Sequence, residues 1–415
     1  MRTFIVVTAL IFGVGCAQTQ PLRGNEDVDV GKEKSAVAPA VVTALAKGNN
    51  AFAFDLYGKL AAKDGNLFFS PFSISTALGM TYAGARGDTA AEMARTLHFS
   101  RDEAPHSAFR GLLAQINEKR KKPAYALSVA NALWGQKDFG FLPDFINLTG
   151  AEYGAGLRQV DFVNATETAR KLINDWVEDR TQHKIKELLK PGILDADTRL
   201  VLTNAIYFKG LWASQFKKSA TRDDTFKTSA TETVKVPMMQ QTGDFPYFES
   251  EDMQLVQLPY EGKDVSMIVV LPRKVDGLPA LEKQLTSARV AGWIGKLAPR
   301  EVNLALPRFK MTAEFSLKKV LSDLGIPSAF IPGKADLTGM NGTGQRLFIS
   351  AVVHKAFVDV NEEGTEAAAA TAVVAKTTSA RLTHVFKADH PFVFLIRDNR
   401  SGSVLFMGRV ANPGK

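Results

Sequence analysis

The feature that most constrains this chain is a long connection between two apolar, strand-like runs near the C-terminus. The runs are Val352–Val360 and His390–Ile396, and residues 361–389 lie between them. Connections in compact domains are usually about 2–6 residues long, whereas this one is far longer and contains a single glycine, Gly364, and no proline. A segment of this kind is disordered, functional, or able to become part of a regular element.

The alternation of side chains after Gly364 favours a strand that forms inside a sheet. Alternate residues of a strand face opposite sides. The odd-numbered positions are small or apolar and uncharged, namely Thr365, Ala367, Ala369, Thr371, Val373 and Ala375. The even-numbered positions carry the charges, Glu366 and Lys376. A slip of one residue would bury both charges, so the sequence specifies one register. The alanine content equally favours a helix, and periodicity alone leaves the two open.

Composition and charge are those of an ordinary globular protein. The 415 residues are 45% hydrophobic and 23% charged, with a formal net charge of +8. The densest basic run, Lys119–Lys122, lacks the interleaved aromatic residues of nucleic-acid sites, so we interpret it as a solvated helix end. We expect a monomer that has no nucleic-acid partner.

Residues 1–16 have the pattern of an export signal. A basic start precedes an apolar run, Phe4–Val14, and small residues surround Cys16, the single cysteine of the chain. The apolar run is too short to span a bilayer. A cysteine at this place resembles that of a bacterial lipoprotein signal, although Gly13 stands where such signals usually carry an aliphatic residue. We therefore expect an acylated Cys16, a polar tether over 17–40, and an outer-membrane or periplasmic lipoprotein that contacts the membrane through this lipid alone. Secretion without acylation is the alternative.

Helical patterns dominate the first half of the chain and strand patterns the second. Within the second half, the spacing over 313–324 predicts a helix and that over 346–360 predicts a strand. The absence of a regular strand–helix–strand alternation favours an α+β fold with antiparallel or mixed sheets. No composition break appears after residue 40, so we expect one domain over 41–415.

The residues that enzymes use show no catalytic pattern. The six histidines lack metal-ligand spacing, and no Gly-x-Ser-x-Gly elbow is present. Ser214–Lys217 and Ser316–Lys319 match a Ser-x-x-Lys nucleophile motif, but the Lys-Thr-Gly partner of that motif is missing. We expect no enzyme activity, no metal and no cofactor.

Several motifs together resemble those of the serpins, a family of serine protease inhibitors. They are Asn66–Ile74, Val201–Trp212, His354–Ala356, Glu363–Ala369, His390–Phe392 and Phe406–Arg409. They occur in the family's order and spacing, and they extend over most of residues 41–413. The resemblance implies an α+β serpin fold with three β-sheets, about nine helices and an exposed reactive-centre loop, here 362–390. The alanine run resembles that of inhibitory members, and the signal at residues 1–16 suggests a bacterial one.

The resemblance also implies suicide-substrate inhibition. A protease would cut the loop and form an acyl-enzyme through its own serine, and the loop would then enter the central sheet with the protease attached. The family's functional residues map onto this sequence as the hinge Glu362, Gly364, Thr365, Ala367, Ala368, Ala369 and Ala370, the shutter Ser70, Ser73, Asn204 and His354, and the breach Trp212 and Arg308. The shutter is a hydrogen-bond cluster beneath the sheet, and the breach is where the loop enters. Glu362 would form a surface ion pair with Arg308.

The identity of the reactive bond follows from loop length and pocket chemistry. Counting from Glu362 places it at Thr378–Ser379, and Thr378 suits the small apolar pocket of an elastase-like protease. Lys376 or Arg381 would instead direct the chain to a trypsin-like protease, whose pocket contains a buried acid. The remaining alternative is a non-inhibitory protein of the same fold with a binding or chaperone role.

Overall fold

The part of the chain that the computed structural model describes comprises residues 37–100, 105–118, 125–342, 346–365 and 383–414. These residues belong to one unit, Ser35–Lys415. The predicted features that lie outside the described ranges are Cys16, the basic run 119–122, Ala367, Ala368, Ala369, Ala370, Lys376, Thr378, Ser379 and Arg381. No helix within the described ranges is long and apolar enough to cross a membrane.

Helices occupy most of the first half of the described chain. Within the described ranges ten α-helices occur: α1 Pro39–Leu60, α2 Pro71–Gly84, α3 Gly87–Thr96, α4 Pro105–Ile116, α5 Pro143–Tyr153, α6 Phe162–Arg180, α7 Leu278–Glu282, α8 Ser287–Ile294, α9 Lys318–Leu324 and α10 Thr338–Asn341. The start of α2 shows how local sequence sets such an element. Ser70 accepts a hydrogen bond from the Ser73 N–H, and Pro71 occupies the first turn, where its missing N–H costs nothing.

The strands form two hydrogen-bonded sheets among the described residues. The strands are β1 Leu67–Phe69, β2 Tyr125–Gln136, β3 Leu157–Val160, β4 Leu200–Leu211, β5 Arg222–Lys227, β6 Thr233–Glu249, β7 Met253–Pro259, β8 Val265–Pro272, β9 Ala298–Pro307, β10 Phe309–Ser316, β11 Ala351–Val360, β12 Gly364–Thr365, β13 His384–Lys387, β14 Phe392–Asp398 and β15 Val404–Val410. We call the first sheet I, with the order β10-β11-β12-β4-β2-β3. Sheet II has the order β1-β15-β14-β8-β7-β6-β9-β13, with β5 beside β6.

Sheet II consists of two groups of strands that share β6. The end of β6, Tyr247–Glu249, pairs with β7. The start of β6, from Thr233 to Met238, pairs with β5, and the stretch from Met238 to Tyr247 pairs with β9. Together with sheet I, these two groups make up the three sheets of the expected α+β architecture.

Sheet I is partly open at its centre. β4 and β11 run parallel and pair with one another from Val201 to Tyr207 of β4. Beyond Tyr207 they separate, and β12 lies between them. Thr365 pairs antiparallel with Val360 of β11 on one side and with Gly210 of β4 on the other. The opening therefore already contains Gly364 and Thr365, which belong to the long connection that follows β11.

Helix α2 lies between the two sheets and fixes their separation. It contacts β2 and β4 of sheet I and β15 of sheet II. In the same core, Phe406 of β15 stacks on Phe68 of β1 and touches Phe208 of β4. Burying a large apolar side chain stabilises a fold by about 1.5–3 kcal/mol, so this packing helps to hold the two sheets together around α2.

Two secondary-structure predictions in the second half were partly wrong. Residues 313–316 do not begin a helix, because they belong to β10 and pair with β11; α9 starts later, at Lys318. The strand predicted from residue 346 begins at Ala351. Pairing with a neighbouring strand overrides helical spacing. The alternation of apolar and polar residues over 309–312 was the sequence signal for a strand.

Candidate functional site

The segment predicted as the reactive-centre loop, 362–390, begins with a tight turn at the end of β11. Asn361 and Gly364 exchange backbone hydrogen bonds of 2.9 and 3.3 Å, so Glu362 and Glu363 are the central residues of the turn. The Asn361 side chain accepts a further bond from the Glu363 N–H at 3.1 Å, as asparagine commonly does in turns. This turn reverses the chain and directs β12 into sheet I.

Gly364 passes so close to β4 that no side chain fits there. A Cβ atom on Gly364 would lie 2.0 Å from the carbonyl oxygen of Gly210 and 2.7 Å from the Cα of Leu211. Both are backbone atoms of a central strand, and they cannot move aside as a flexible side chain can. The close approach of two backbones therefore requires glycine at this hinge position.

Thr365 is fully buried in what we call the hinge pocket, formed by Gly210, Trp212 and Tyr260. Its Oγ1 lies 2.8 Å from the Tyr260 hydroxyl. Trp212 stacks on the Tyr260 ring with centroids 4.5 Å apart, and its Nε1 donates to the Asn361 carbonyl oxygen at 3.0 Å. Gly210 leaves room for Tyr260, because a Cβ there would lie 2.9 Å from the Tyr260 ring. The structure thus places two predicted residues, Trp212 and Thr365, in one site.

Glu362 and Glu363 hold the turn in place through their carboxylates. Glu362 accepts a hydrogen bond from Thr221 Oγ1 at 2.8 Å and lies 3.7 Å from Arg308 Nε. Glu363 pairs with Lys218 at 2.5 Å, and these groups line a cleft of about 440 Å³. Glu362 is 4% exposed, so the expectation of a surface ion pair was wrong in one respect. Arg308 is its neighbour, but the carboxylate is buried and its shorter contact is with Thr221.

The four residues predicted as the shutter lie together beneath the pair β4–β11. Asn204 of β4 and His354 of β11 face each other in register, and His354 Nδ1 donates to Asn204 Oδ1. The Asn204 amide donates to Ser73 Oγ at 2.6 Å and to Asn131 Oδ1 at 2.5 Å, while the Ser70 N–H donates to His354 Nε2 at 3.1 Å. We call these five buried residues the central cluster. It ties β2, β4 and β11 to the start of α2.

The central cluster is electrically neutral. Because the Ser70 N–H donates to Nε2 of His354, the proton of the imidazole ring lies on Nδ1. Burial lowers the pKa of His354 to about 3, because the loss of water disfavours the charged ring and the hydrogen bond with Asn204 offsets this only in part. The network is therefore complete when His354 is neutral, and a proton added to Nε2 would face the Ser70 N–H.

Several residues of the site were not predicted from the sequence, and Asn131 and Tyr260 are the most important of them. Asn131 completes the central cluster, and Tyr260 forms one wall of the hinge pocket. Asn131 interrupts an apolar strand, Val129–Trp134, and a buried polar residue in such a run requires partners, which was the signal available. Tyr260 carried no local signal, because its partner Thr365 lies 105 positions further along the chain.

The site offers a slot for a strand rather than catalytic groups. Residues that continued from Thr365 would pair antiparallel with both β4 and β11, which at present pair parallel with each other. Antiparallel pairing is slightly more stable per residue than parallel pairing. Within the described ranges, no group of three or more His, Cys, Asp or Glu residues could hold a metal ion.

Comparison with known proteins identifies the family. The family model for Serpin (serine protease inhibitor) matches residues 47–413. A leukocyte elastase inhibitor from Homo sapiens is 45% identical over 379 residues, which cover 89% of this chain and 99% of that relative. The structure of Serpin48 from the insect Tenebrio molitor is similar with a TM-score of 0.79 and 37% identity, covering 89% of this chain and 98% of that one. Human thyroxine-binding globulin is similar with a TM-score of 0.82 and 32% identity, covering 90% and 99%.

The chain belongs to the serpin family, and the predicted fold class is confirmed. The resemblance seen in the separate sequence motifs therefore extends over nearly the whole described chain. The structure places the shutter and breach residues and, of the hinge, Glu362, Gly364 and Thr365. Their roles in loop insertion stay predictions.

Proposed function

We propose that this protein inhibits serine proteases as a suicide substrate. The observation that carries the proposal is the position of β12. Gly364 and Thr365 already lie between β4 and β11, at the end of sheet I where these two strands have separated. The parity from Thr365 to Ala375 suits such a slot, because each second residue is small or apolar. Membership of the serpin family supports the same function.

The proposed reaction begins with attack on the loop, which leaves the protease bound as an acyl-enzyme through its own serine. Cleavage frees the part of the loop that continues from Thr365, and this part becomes a strand between β4 and β11. Each inserted residue replaces parallel by antiparallel pairing, so the inserted state has the lower free energy and the native state is held kinetically. The protease is carried along with the loop, and its active site is distorted before it can deacylate.

Insertion past Tyr207 requires β4 and β11 to separate. Asn204 and His354 face each other across the line of separation, so the central cluster opposes opening until the loop has been cut. A shutter role for this cluster and a breach role for Trp212 and Arg308 are part of the proposal.

The proposed target is an elastase-like serine protease, with Thr378–Ser379 as the reactive bond. Thr378 is small and uncharged, which suits a pocket that accepts small side chains. The human relative that shares 45% of its residues with this chain is named for inhibiting leukocyte elastase. The chain acts as a trapped substrate and has no catalytic activity of its own in this proposal.

The test is a panel of elastase-like, chymotrypsin-like and trypsin-like proteases incubated with the full chain. The proposal predicts an SDS-stable complex with an elastase-like protease and a released C-terminal peptide that begins at Ser379, identified by mass spectrometry. Heat-inactivated protease is the control. Cleavage of the chain by every protease without any complex would contradict the proposal.

A trypsin-like target is the alternative that two residues favour, because Lys376 and Arg381 both lie near Thr378. It predicts a complex with trypsin-like proteases and a new N-terminus at Thr377 or Leu382.

A non-inhibitory role is the other alternative, and human thyroxine-binding globulin shows that a binding protein can have a similar fold. It predicts that no protease in the panel forms a complex.

We further propose an exported, lipid-anchored protein of bacterial origin, on the evidence of residues 1–16 and Cys16 alone. The relatives named above are human and insect proteins and lend this origin no support. The test is expression in bacteria with labelled palmitate, with and without globomycin. Label on the wild-type chain and none on Cys16→Ser is expected, and an unlabelled wild-type chain would contradict it.

A further inference from the structure

Two hydroxyl groups meet at the point where the loop enters sheet I. The Tyr260 hydroxyl and Thr365 Oγ1 lie 2.8 Å apart, and both residues are 0% exposed. Among the described residues, neither hydroxyl has another hydrogen-bond partner. Burial raises the pKa of Tyr260 far above its ordinary value, so its hydroxyl retains the proton and can always donate.

Tyr260 is held from several sides, so its hydroxyl has a fixed position. It follows Pro259 at the end of β7 and forms a backbone bridge to Trp212, whose ring stacks on it. On another side Phe208 of β4 meets it edge to face, with centroids 4.9 Å apart. The neighbouring Glu261 N–H donates to the Leu211 carbonyl oxygen at 2.7 Å. Tyr260 thus projects from the junction of sheets I and II towards the slot.

We propose that Tyr260 is a positioning residue for loop insertion, whose hydroxyl holds Thr365 at the entrance and fixes the register of the strand that follows. The inference rests on the proposed function. Side chains alternate along a strand, so placing Thr365 against Tyr260 directs Ala367 and Ala369 to the same face. A shift of one residue would bring Glu366 to the hydroxyl instead and bury its charge.

The hydrogen bond predicts an unusual pattern of mutational effects. Removing one partner leaves the other hydroxyl buried and unsatisfied, whereas replacing both by apolar groups of similar shape is nearly neutral. Tyr260→Phe and Thr365→Val each remove one hydroxyl and preserve most of the shape. Each single variant should therefore release the hinge from the slot, and the double variant should restore it.

The experiment measures hydrogen exchange at the Thr365 amide in the intact chain without protease. Thr365 pairs with Gly210 of β4, so its exchange reports whether β12 stays in the sheet. We expect each single variant to exchange about tenfold faster than wild type, and the double variant to return to the wild-type rate within about threefold. Unchanged exchange in the single variants, or faster exchange in the double variant than in either single one, would overturn the proposal.

Tyr57→Phe is the matched control. Tyr57 is also buried, and its hydroxyl donates to Glu282 at 2.6 Å, but it lies away from the hinge. This variant should leave Thr365 exchange unchanged, whereas a change equal to that of Tyr260→Phe would show a general loss of stability and overturn the proposal.

A second measurement counts the inhibitor molecules consumed for each protease trapped. This number should rise for both single variants, because insertion then starts from a hinge released from the slot. It should return to the wild-type value in the double variant, in which the hinge is docked again. Exchange needs no protease, so a chain that forms no complex but shows the predicted exchange pattern separates failure of the proposed function from failure of this inference.

Discussion

The hinge pocket and the central cluster lie along the same two strands, yet they are built in opposite ways. At Gly210 the strands β4 and β11 have separated and β12 is between them. At Asn204 they are in direct register. The hinge pocket binds Thr365 through one pair of hydroxyl groups and the stacked rings of Trp212 and Tyr260. The cluster joins three strands and α2 through a closed network of buried polar groups.

The difference explains how a sheet can be open at one end and stable at the other. Each buried polar group that loses its partner costs about 1–3 kcal/mol, and opening at Asn204 would leave several such groups without hydrogen-bond partners at once. Opening at Gly210 has already occurred, and the turn Asn361–Gly364 and Thr365 satisfy the exposed edges. We therefore expect the pocket to start insertion and the cluster to set its barrier.

The largest expected effect is at the pocket, in Thr365→Arg. The guanidinium group would have to enter a fully buried site beside two aromatic rings, and burying an unpaired charge costs several kcal/mol. The chain should fold but be cleaved as a plain substrate, with less than about a tenth of the wild-type yield of SDS-stable complex on a gel. Thr365→Ser keeps the hydroxyl and should inhibit normally. Complex formation by Thr365→Arg at the wild-type yield would refute the insertion step.

The next largest effect is at the cluster, in Asn204→Ala. His354, Ser73 and Asn131 would each lose a hydrogen-bond partner, and we expect the free energy of unfolding to fall by about 3 kcal/mol. Urea denaturation followed by fluorescence measures this change. Asn174→Ala is the control, because Asn174 also makes two side-chain bonds, to Leu189 on the far side of sheet I. Spontaneous loss of active inhibitor on warming should accelerate in Asn204→Ala and remain unchanged in Asn174→Ala.

Acid should weaken the cluster and leave the hydroxyl pair intact. The folded pKa of His354, about 3, lies below the ordinary value of 6.5, so its contribution to stability is complete above pH 6.5 and is lost as the pH falls towards 3. Between pH 7.5 and 5 the loss should amount to about 2 kcal/mol. His106 also has a lowered pKa, so the measurement compares wild type with His354→Gln in urea at both pH values. Equal pH dependence in the two chains would show that His354 does not titrate as its burial implies.

The smallest effect is expected at the edge of the hinge, in Arg308→Ala. The Glu362 carboxylate is buried, but the Arg308 side chain is 50% exposed and its Nε lies 3.7 Å away, so water screens the guanidinium group and loss of this long contact should cost about 1 kcal/mol. Thr221→Val removes the shorter contact of the same carboxylate and should cost more. The fall in the urea midpoint of unfolding ranks the two variants, and we expect the larger fall in Thr221→Val. A larger fall in Arg308→Ala would mean that the ion pair holds the turn.

Sequence reasoning predicted what depends on local order along the chain. The glycine at position 364 and the polar residues that the family resemblance pointed to lie in short segments, whereas the parity beyond Thr365 falls outside the described residues and stays a prediction. The start of the helix predicted over 313–324 was wrong, because the pairing of residues 313–316 with β11 is not visible locally. Tyr260 was missed for the same reason, since its partner Thr365 is far away in sequence. Asn131 carried a local signal as a polar residue in an apolar strand, but its partner Asn204 could not be seen there. The buried state of Glu362 also depends on Thr221 and Arg308, which lie on other elements.

The most direct test of the central claim compares thermal melting of the intact chain with that of the chain cut once in the reactive loop by a protease that it does not trap. If the loop continues from Thr365 into the slot between β4 and β11, the cut wild-type chain should melt well above the intact one, and cut Thr365→Arg should not. An unchanged melting temperature in the cut wild-type chain, with cleavage verified by mass spectrometry, would contradict insertion.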